Sequence, residues 1–311
     1  MSEKIDLVVT FVDMNDNEWR QGYEEYIKTH NIPIPEINNV EVRSRDYGTL
    51  KCLLRSIDLY APWINNVFLV VQRESQVPKW INRENVKVVL HEEFIPKEYL
   101  PTYNTFTIQS HVHKIPNLSE KFIFSDDDSI LTKEVFPENF FINDKLVQTV
   151  VINDLNYLKG SSSKFSHYFK VSASNVIKNK ENIKDEFYYQ DDHSMQPMFK
   201  SFNEEVYNSI EDIGSYMTAF REKNNIFRYT YLTAAFFHRK NIIVSSMNGA
   251  ISFINKDINQ FRKWLNTAQF KGLLSINDQD LKEEFDKELY YKMVEETLQQ
   301  LFPNKSEKYE I

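Results

Sequence analysis

The sequence of 311 residues predicts an α/β fold in which a mostly parallel sheet is flanked by helices. Short apolar runs rich in β-branched residues recur through the first half, and helical patterns separate them. The runs end in polar turns, two of which are acidic. Apolar runs of this kind are typical of strands that are buried on both faces of a parallel sheet. The alternation indicates a Rossmann-like arrangement, in which ligands bind at the carboxyl ends of the strands.

Four strands and four helices account for the first half. The polar turn 13–17 ends the first strand and leads into a helix, and the next helix ends before Pro62. The turn at 76–80 is expected to enter a short helix. The predicted strands are 5–12, 67–71, 86–90 and 121–124, and the three longer helices are 18–28, 49–59 and 104–114.

The second half is less regular. Its predicted elements are a strand over 147–152, a flexible loop over 158–165, helical structure over 203–237, short strands over 242–246 and 250–254, and a long amphipathic C-terminal helix over 278–301. No internal repeat or low-complexity linker divides the sequence. We therefore interpret 1–311 as one domain, with an α/β half over 1–150 and an inserted, more helical half over 151–311 that completes it.

Composition and charge argue against several classes of protein. The net charge of -8 argues against a nucleic-acid partner, because such proteins present a basic face. No apolar run approaches the roughly 18 residues of a membrane span, and the N-terminus lacks the pattern of a signal peptide. The only cysteine, Cys52, lies in an apolar helical pattern and is interpreted as a core residue. Together these features predict a cytoplasmic protein.

Acidic side chains follow two of the predicted strands. The triplet 126–128 comes directly after the fourth strand, and Asp13 follows the first. Adjacent carboxylates repel one another, so they are stable together beside a cation or in open solvent. Mg²⁺ (or Mn²⁺) prefers oxygen ligands and bridges carboxylates to substrate phosphates. The pattern favours a metal and nucleotide site, and a solvated turn is the alternative.

Basic and polar candidates lie in three further places. The run 43–46 (Arg-Ser-Arg-Asp) precedes a helix, where arginine binds phosphate bidentately or forms a surface ion-pair cluster. His111 and His113 are two residues apart, which places them on different faces of a helix and is poor geometry for one metal. His193 follows two aspartates in a loop, where a histidine can act as a base or remain structural.

Read together, these segments resemble the four separated regions of the Stealth family. The first, 5–13, resembles I-D-x-V-Y-T-W-V-D-G, with Phe11 in place of the tryptophan. The second, 43–128, carries the most specific motifs, and Asp126 stands where the family usually has asparagine. The third links His193 to Arg221 with a longer His-to-Pro gap than usual. The fourth comprises 277–278 and 302–310, with an Asn-Asp pair that also suits a helix N-cap.

The Stealth family covers bacterial capsular-polysaccharide phosphotransferases and the animal N-acetylglucosamine-1-phosphotransferase of lysosomal enzymes. The resemblance implies a GT-A-like fold whose first half binds a nucleotide sugar, a UDP-sugar above all. It implies transfer of a hexose- or hexosamine-1-phosphate to a hydroxyl of a glycan or lipid-linked oligosaccharide, with release of a nucleoside monophosphate. Such a reaction serves capsular or cell-wall polysaccharide synthesis.

The resemblance also implies roles for individual residues. It implies catalytic roles for Asp127, His193 and Arg221, substrate contacts by Asp13, Arg43, Arg45, Asp46, Arg55, Asn104, His111 and His113, and metal ligands at Asp128, Asn277 and Asp278.

Two other functions fit the same pattern. A metal-dependent glycosyltransferase would use the same donor and acidic strand end but would release a nucleoside diphosphate. A non-catalytic glycan-binding module would use the aromatic residues, 14% of the chain, which otherwise form an ordinary core. A lipid-linked acceptor would bring the protein to the inner membrane face peripherally, without a transmembrane segment.

Overall fold

A computed structural model of the protein describes residues 3–32, 46–148, 150–154, 176, 179, 182–184, 187–191, 195–222, 225–226, 235, 237, 239–244, 272–276 and 287–311. Its central element is a five-stranded sheet. The strands of this sheet are β1 (Ile5–Thr10), β2 (Val67–Val71), β3 (Val86–Leu90), β4 (Lys121–Asp126) and β10 (Gln196–Phe199). They lie in the order β10-β4-β1-β2-β3, in which four strands are parallel and β10 pairs antiparallel with β4 at one side.

Helices and smaller strand pairs surround this sheet. The α-helices are α1 (Asn17–His30), α2 (Thr49–Tyr60), α3 (His91–Phe94), α4 (Thr105–His111), α5 (Lys200–Ser209) and α6 (Lys287–Leu301). Three small sheets complete the described strands. In the first, β7 (Lys145–Gln148) lies between β11 (Ile242–Val244) and β6 (Phe141–Ile142). The second pairs β12 (Leu273–Ser275) with β5 (Ser129–Leu131), and the third pairs β8 (Val150–Asp154) with β9 (Phe187–Asp191). None of the described helices is long and apolar enough to cross a membrane.

The core explains why the strands read as continuous apolar runs. Every residue of β2 is buried, as are the first five residues of both β1 and β4. The apolar side of α2 covers the sheet, and Cys52 lies within that side at 4% exposure. The expected core role of Cys52 is therefore confirmed, and burial raises the pKa of its thiol to about 11.

The prediction of a mixed α/β fold with a mostly parallel sheet is confirmed. The bounds of β2 and β3 agree with the sequence, whereas the third long helix is α4 followed by a 3-10 turn over Val112–Lys114. The short helix expected after the turn at 76–80 is wrong. A 3-10 helix over Glu74–Gln76 precedes that turn instead, because the chain then extends to form an antiparallel bridge between Ile81 and Glu310.

The second half follows its predictions only in part. The strand expected over 147–152 is divided between β7 and β8. The helical structure predicted over 203–237 is present as α5, which ends at Ser209; beyond it, a 3-10 turn over Ile213–Tyr216 leads into the irregular residues 217–222, so the prediction is wrong for that stretch. The strand expected over 242–246 is β11, and the C-terminal helix is α6. The loop predicted over 158–165, the strand over 250–254 and the first part of the long helix lie outside the described residues.

The ten residues after α6, 302–311, fold back onto α2 and are called the C-terminal clasp. The guanidinium of Arg55 donates to both carboxylate oxygens of Glu310, at 2.6 and 2.9 Å, and to the carbonyl oxygen of Phe302 at 2.6 Å. Ser306 adds a hydrogen bond to Asp58 on the same helix. These contacts join the end of the chain to a helix more than 240 residues earlier in the sequence.

Candidate active site

The carboxyl ends of the four parallel strands meet at one edge of the sheet. The last residue of β1, Thr10, is paired with Val70 of β2 on one side and with Asp126 of β4 on the other. The antiparallel strand β10 begins at the same edge, since Gln196 is paired with Phe124. The turns that follow β1, β2 and β4 and the chain that precedes β10 therefore all reach this edge.

A group of carboxylates marks the end of β4. Burial raises the pKa of Asp127 well above its ordinary value, and the charges of Asp128, Asp126 and Asp46 raise it further. Asp46 belongs to the segment before α2, where its carboxylate accepts a hydrogen bond from the backbone of Gly48 at 2.7 Å. We call Asp46 and Asp126 to Asp128 the carboxylate edge. The structure thus brings together four of the acidic candidates.

The donor chemistry of the carboxylate edge fits a divalent cation, because Mg²⁺ and Mn²⁺ prefer the hard oxygen ligands that carboxylates provide. In the described parts of the chain, no three His, Cys, Asp or Glu side chains are arranged to hold a metal ion. Of the three predicted ligands, Asp128 is described, while Asn277 and Asp278 lie outside the described residues. Ile276, which precedes them, donates its backbone N–H to the carbonyl of Asp128 at 3.2 Å.

Asp13 lies in the turn that links β1 to α1. Its carboxylate accepts a hydrogen bond from the backbone N–H of Asn15 at 2.8 Å, and its carbonyl accepts one from the side chain of Gln76 at 3.2 Å. The next acid, Asp16, caps α1 by accepting from the N–H of Trp19 at 2.7 Å. Gln76 follows β2, so the turns after two neighbouring strands are joined directly.

Asn104 fixes the segment that carries Arg221. Its side-chain oxygen caps α4 by accepting from the N–H of Phe106, and its amide nitrogen lies within 3.2 Å of acceptors on Thr218, Phe220 and Asn225. Arg221 in turn donates to the hydroxyl of Thr105 at 2.9 Å, at the start of α4. The predicted catalytic arginine is therefore held at the amino end of α4 by a side chain that is fully buried.

An aromatic cluster surrounds this junction. Tyr103 stacks on Phe220 with ring centroids 5.3 Å apart, and its backbone N–H bonds to the carbonyl of Ala219. Tyr23 of α1 meets Tyr103 edge to face at 5.0 Å, and Trp19 stacks on Tyr23 at the same distance. The rings pack α1, the chain before α4 and the segment of Arg221 into one unit.

The structure places several predicted substrate contacts in the protein interior. Asn104 and His111 are fully buried, and His113 is 2% exposed. One ring nitrogen of His111 bonds to the carbonyl of Thr107 at 2.8 Å, and the other bonds to the hydroxyl of Tyr207 at 3.0 Å. These three side chains lie in the protein interior, and their predicted substrate contacts stay predictions.

Arg55 is committed to the C-terminal clasp by the three hydrogen bonds described above. All three nitrogens of its guanidinium have protein partners. A substrate contact by Arg55 stays a prediction. Arg43, Arg45, His193, Asn277 and Asp278 lie outside the described residues, so their predicted roles stay predictions as well.

Arg73 and Gly22 were not predicted as site residues from the sequence. Arg73 is the second residue after β2, and its guanidinium lies against Gly22 of α1. A glycine in the middle of a helical pattern is a local signal of close packing, but the sequence does not say which side chain approaches it.

Two comparisons with known proteins decide the family. The family model for Stealth protein CR2, conserved region 2, matches residues 43–150. The exopolysaccharide phosphotransferase cps2G of Lactiplantibacillus plantarum is 30% identical to the chain over 337 residues, which cover 97% of this chain and 95% of that protein. The chain belongs to the Stealth family. The CR2 match includes β2, β3, β4 and the carboxylate edge.

Other relatives of this Stealth chain match a shorter stretch. The capsular polysaccharide phosphotransferase eps5J of Streptococcus thermophilus is 41% identical over 143 residues, which are 45% of this chain and 59% of that protein. The receptor polysaccharide phosphotransferase WefC of Streptococcus gordonii is 41% identical over 152 residues, 48% of this chain and 45% of its own. The chain thus spans about half the length of these relatives.

Proposed function

We propose that the protein transfers a hexose- or hexosamine-1-phosphate from a nucleotide-diphosphate sugar, a UDP-sugar first of all, to a hydroxyl of an acceptor glycan. The acceptor is a growing polysaccharide or a lipid-linked oligosaccharide in capsular or exopolysaccharide synthesis. The observation that carries the proposal is the carboxylate edge, at which partial burial and three other acidic side chains raise the pKa of Asp127. Relatives named as capsular and exopolysaccharide phosphotransferases support the same reaction class.

The proposal includes a Rossmann-like, GT-A-like binding half over 1–150, completed by 151–311 as one catalytic domain. In parallel α/β sheets, ligands bind outside the carboxyl ends of the strands, where Asp13, Arg73 and the carboxylate edge lie. The position of these side chains supports a nucleotide-sugar site at that edge.

The proposed reaction uses the predicted catalytic residues. The acceptor hydroxyl gives its proton to Asp127 or to His193, and its oxygen forms a bond to the phosphorus next to the sugar. The bond from that phosphorus to the nucleoside monophosphate breaks, and its electron pair departs with the leaving group. The product is a phosphodiester between two sugars. Arg221 and Arg45 hold the diphosphate, since guanidinium groups match phosphate oxygens bidentately.

Asp128, Asn277 and Asp278 would hold Mg²⁺ or Mn²⁺ in this proposal. A divalent cation neutralises diphosphate charge and favours departure of the phosphate leaving group. The hydrogen bond from Ile276 to Asp128 supports this set, because it brings the chain to Asp128 one residue before Asn277.

The second candidate is a metal-dependent glycosyltransferase, which the same carboxylate edge would serve. Its acceptor attacks the anomeric carbon and a nucleoside diphosphate leaves. A glycan-binding module is the third candidate, but it has no need of clustered carboxylates. The proposed location is cytoplasmic, with peripheral association at the inner membrane face through a lipid-linked acceptor.

The released nucleotide distinguishes the candidates. The protein is incubated with a panel of nucleotide sugars, Mg²⁺ and polysaccharide repeat-unit acceptors, and the products are identified by mass spectrometry. Release of a nucleoside monophosphate with a phosphodiester product supports the proposal. Release of a nucleoside diphosphate supports the glycosyltransferase, and binding without turnover supports the glycan-binding module.

A further inference from the structure

Arg73 occupies a position that faces the proposed donor site from the opposite side to the carboxylate edge. It follows β2, whereas Asp126 ends β4, and β1 lies between these two strands. Because neighbouring strands are spaced about 4.8 Å apart, the two strand ends are separated by roughly 10 Å. A positive group and a negative cluster at this separation could hold the two parts of one nucleotide-diphosphate donor.

The guanidinium of Arg73 lies in a space on the surface of α1 at Gly22, which we call its seat. A Cβ atom built on Gly22 would lie 2.7 Å from Nη2 of Arg73 and 3.6 Å from the hydroxyl oxygen of Tyr103. Glycine in a helix interior costs about 1 kcal/mol relative to alanine. Gly22 leaves the space in which the guanidinium lies. The intrinsic stability of α1 is therefore lowered at the position that accommodates Arg73.

The partly buried charge of Arg73 has no counterion among the described residues, and no hydrogen bond from its side chain is found there. The adjacent carboxylate, Glu74, forms a close ion pair with Arg83 instead. Arg20, another arginine near this edge, donates to the carbonyl of Met14 and the side chain of Asn15. A cation that is partly withdrawn from water without a protein partner is a common feature of anion-binding sites.

The aromatic cluster links Arg73 to Arg221. Both the Arg73 guanidinium and the Tyr103 hydroxyl lie against Gly22, and Tyr103 stacks on Phe220, the neighbour of Arg221 in the chain. The guanidinium of Arg221 itself lies over the ring of Phe106, 5.2 Å from its centroid. The cluster thus connects the chain segments that carry the two arginines. An arginine pair in this arrangement suits a diphosphate, which offers oxygens on two phosphorus atoms.

We propose that Arg73, seated on Gly22 and beside Tyr103, is a further substrate-binding residue that holds a phosphate of the donor diphosphate. The identity of the ligand as a donor diphosphate rests on the proposed function, whereas anion binding by Arg73 is tested separately. Arg73 contributes charge and orientation to binding and takes no part in proton transfer.

Inorganic pyrophosphate is the probe, because it carries the diphosphate without a sugar or a base. Calorimetric titration of the full chain should give roughly tenfold weaker binding for Arg73→Gln than for the wild type, the effect of losing a charge-assisted hydrogen bond. Arg83→Gln is the matched control, since it removes the same charge from an arginine that is already paired with Glu74. Equal binding by Arg73→Gln and the wild type, or absence of binding by the wild type, overturns the assignment.

Gly22→Ala tests the seat without removing the charge. The new methyl group must displace Nη2 of Arg73, which lies at the end of a flexible side chain. We expect weaker pyrophosphate binding, with a smaller loss than in Arg73→Gln, together with an equal or higher melting temperature because alanine favours the helix. Unchanged affinity in the folded variant contradicts the seat and overturns the proposal.

The transfer assay separates this inference from the proposed function. If the wild type consumes none of the nucleotide sugars, the proposed function fails while the pyrophosphate titration still decides the role of Arg73. If transfer occurs, Arg73→Gln should raise the KM for the donor roughly tenfold and change kcat less. An unchanged donor KM overturns the role of Arg73 in donor binding.

Discussion

The carboxylate edge and the C-terminal clasp both place an acidic side chain in protein surroundings, but they shift its pKa in opposite directions. Burial and the neighbouring Asp128 and Asp126 raise the pKa of Asp127. Burial also acts to raise the pKa of Glu310, but hydrogen bonds from Arg55 and from the backbone of Ser306 lower it below its ordinary value. Neighbouring like charges therefore raise the pKa of the first carboxyl group, whereas hydrogen-bond donors lower that of the second.

This difference separates the proposed catalytic region from a structural one. A buried charge stabilises a fold when it is paired and hydrogen-bonded, as Glu310 is. Clustered acids such as those around Asp127 weaken the folded state unless a ligand or a cation balances them. We therefore expect changes at the carboxylate edge to affect transfer and changes in the C-terminal clasp to affect stability.

Asp127→Asn should have the largest effect. Loss of the proton acceptor should lower the transfer rate by about 10³-fold, within the range for general-base residues. The melting temperature should be equal or higher, because a repelled carboxylate has been removed. Turnover and thermal unfolding are measured on the same preparation. Near-normal turnover would remove Asp127 from the mechanism, and a lower melting temperature would give it a structural role.

Glu310→Gln should show the reverse pattern. The side chains of Arg55 and Glu310 are 14% and 5% exposed, so their ion pair is nearly buried. Its loss leaves the arginine without its counterion. The free energy of unfolding should fall by about 3 kcal/mol, as measured by urea denaturation. Glu307→Gln, an exposed carboxylate in the same segment, is the matched control and should change it little.

The activity of folded Glu310→Gln should equal that of the wild type. A large loss of turnover at full folding would contradict the separation of the two regions.

Asn104 connects the two kinds of role, so its variants should affect both stability and transfer. Asn104→Ala removes the cap of α4 and the donor to Thr218 and Phe220, and should destabilise the protein by about 2 kcal/mol. Asn104→Asp keeps the capping oxygen but replaces the donor with a carboxylate oxygen that faces the acceptors on Thr218 and Phe220. Both variants should lower transfer because Arg221 loses its support, and full activity in folded Asn104→Asp would exclude a positioning role for the amide.

The pH dependence of stability should give the smallest effect. The lowered pKa of Glu310 means that its contribution is present above the ordinary value of 4.5 and is lost as pH falls through the folded-state pKa. The difference in unfolding free energy between the wild type and Glu310→Gln should therefore shrink as the solution is acidified below 4.5. A difference that is constant across this range would show that the ion pair does not depend on the charge of Glu310.

The local parts of the fold could be predicted from the sequence. The runs 67–71 and 86–90 are mostly apolar and are followed by polar residues, so their strand bounds agree with the structure. The convergence of Asp13 and the acidic triplet at one edge followed from parallel pairing alone. These features depend on short stretches of chain and on rules that hold for all parallel sheets.

Contacts between distant residues could not be predicted in the same way. Arg55 has the side chain of a typical phosphate-binding residue. Only the folded chain shows that its partner is Glu310, 255 positions later. The seat of Arg73 on Gly22 likewise joins a turn to a helix with no shared motif. The buried network of Asn104 depends on a segment more than 110 residues away. In each case tertiary packing, which periodicity does not encode, decides the role.

The most direct test of the account follows the phosphorus atom that is bonded to the sugar. A nucleotide sugar radiolabelled at that phosphorus is incubated with the protein, a divalent cation and acceptor glycan, with Asp127→Asn as the inactive control. The account predicts that the label appears in the glycan product and that a nucleoside monophosphate without label is released. Label that remains in a released nucleoside diphosphate would contradict sugar-1-phosphate transfer at the carboxylate edge.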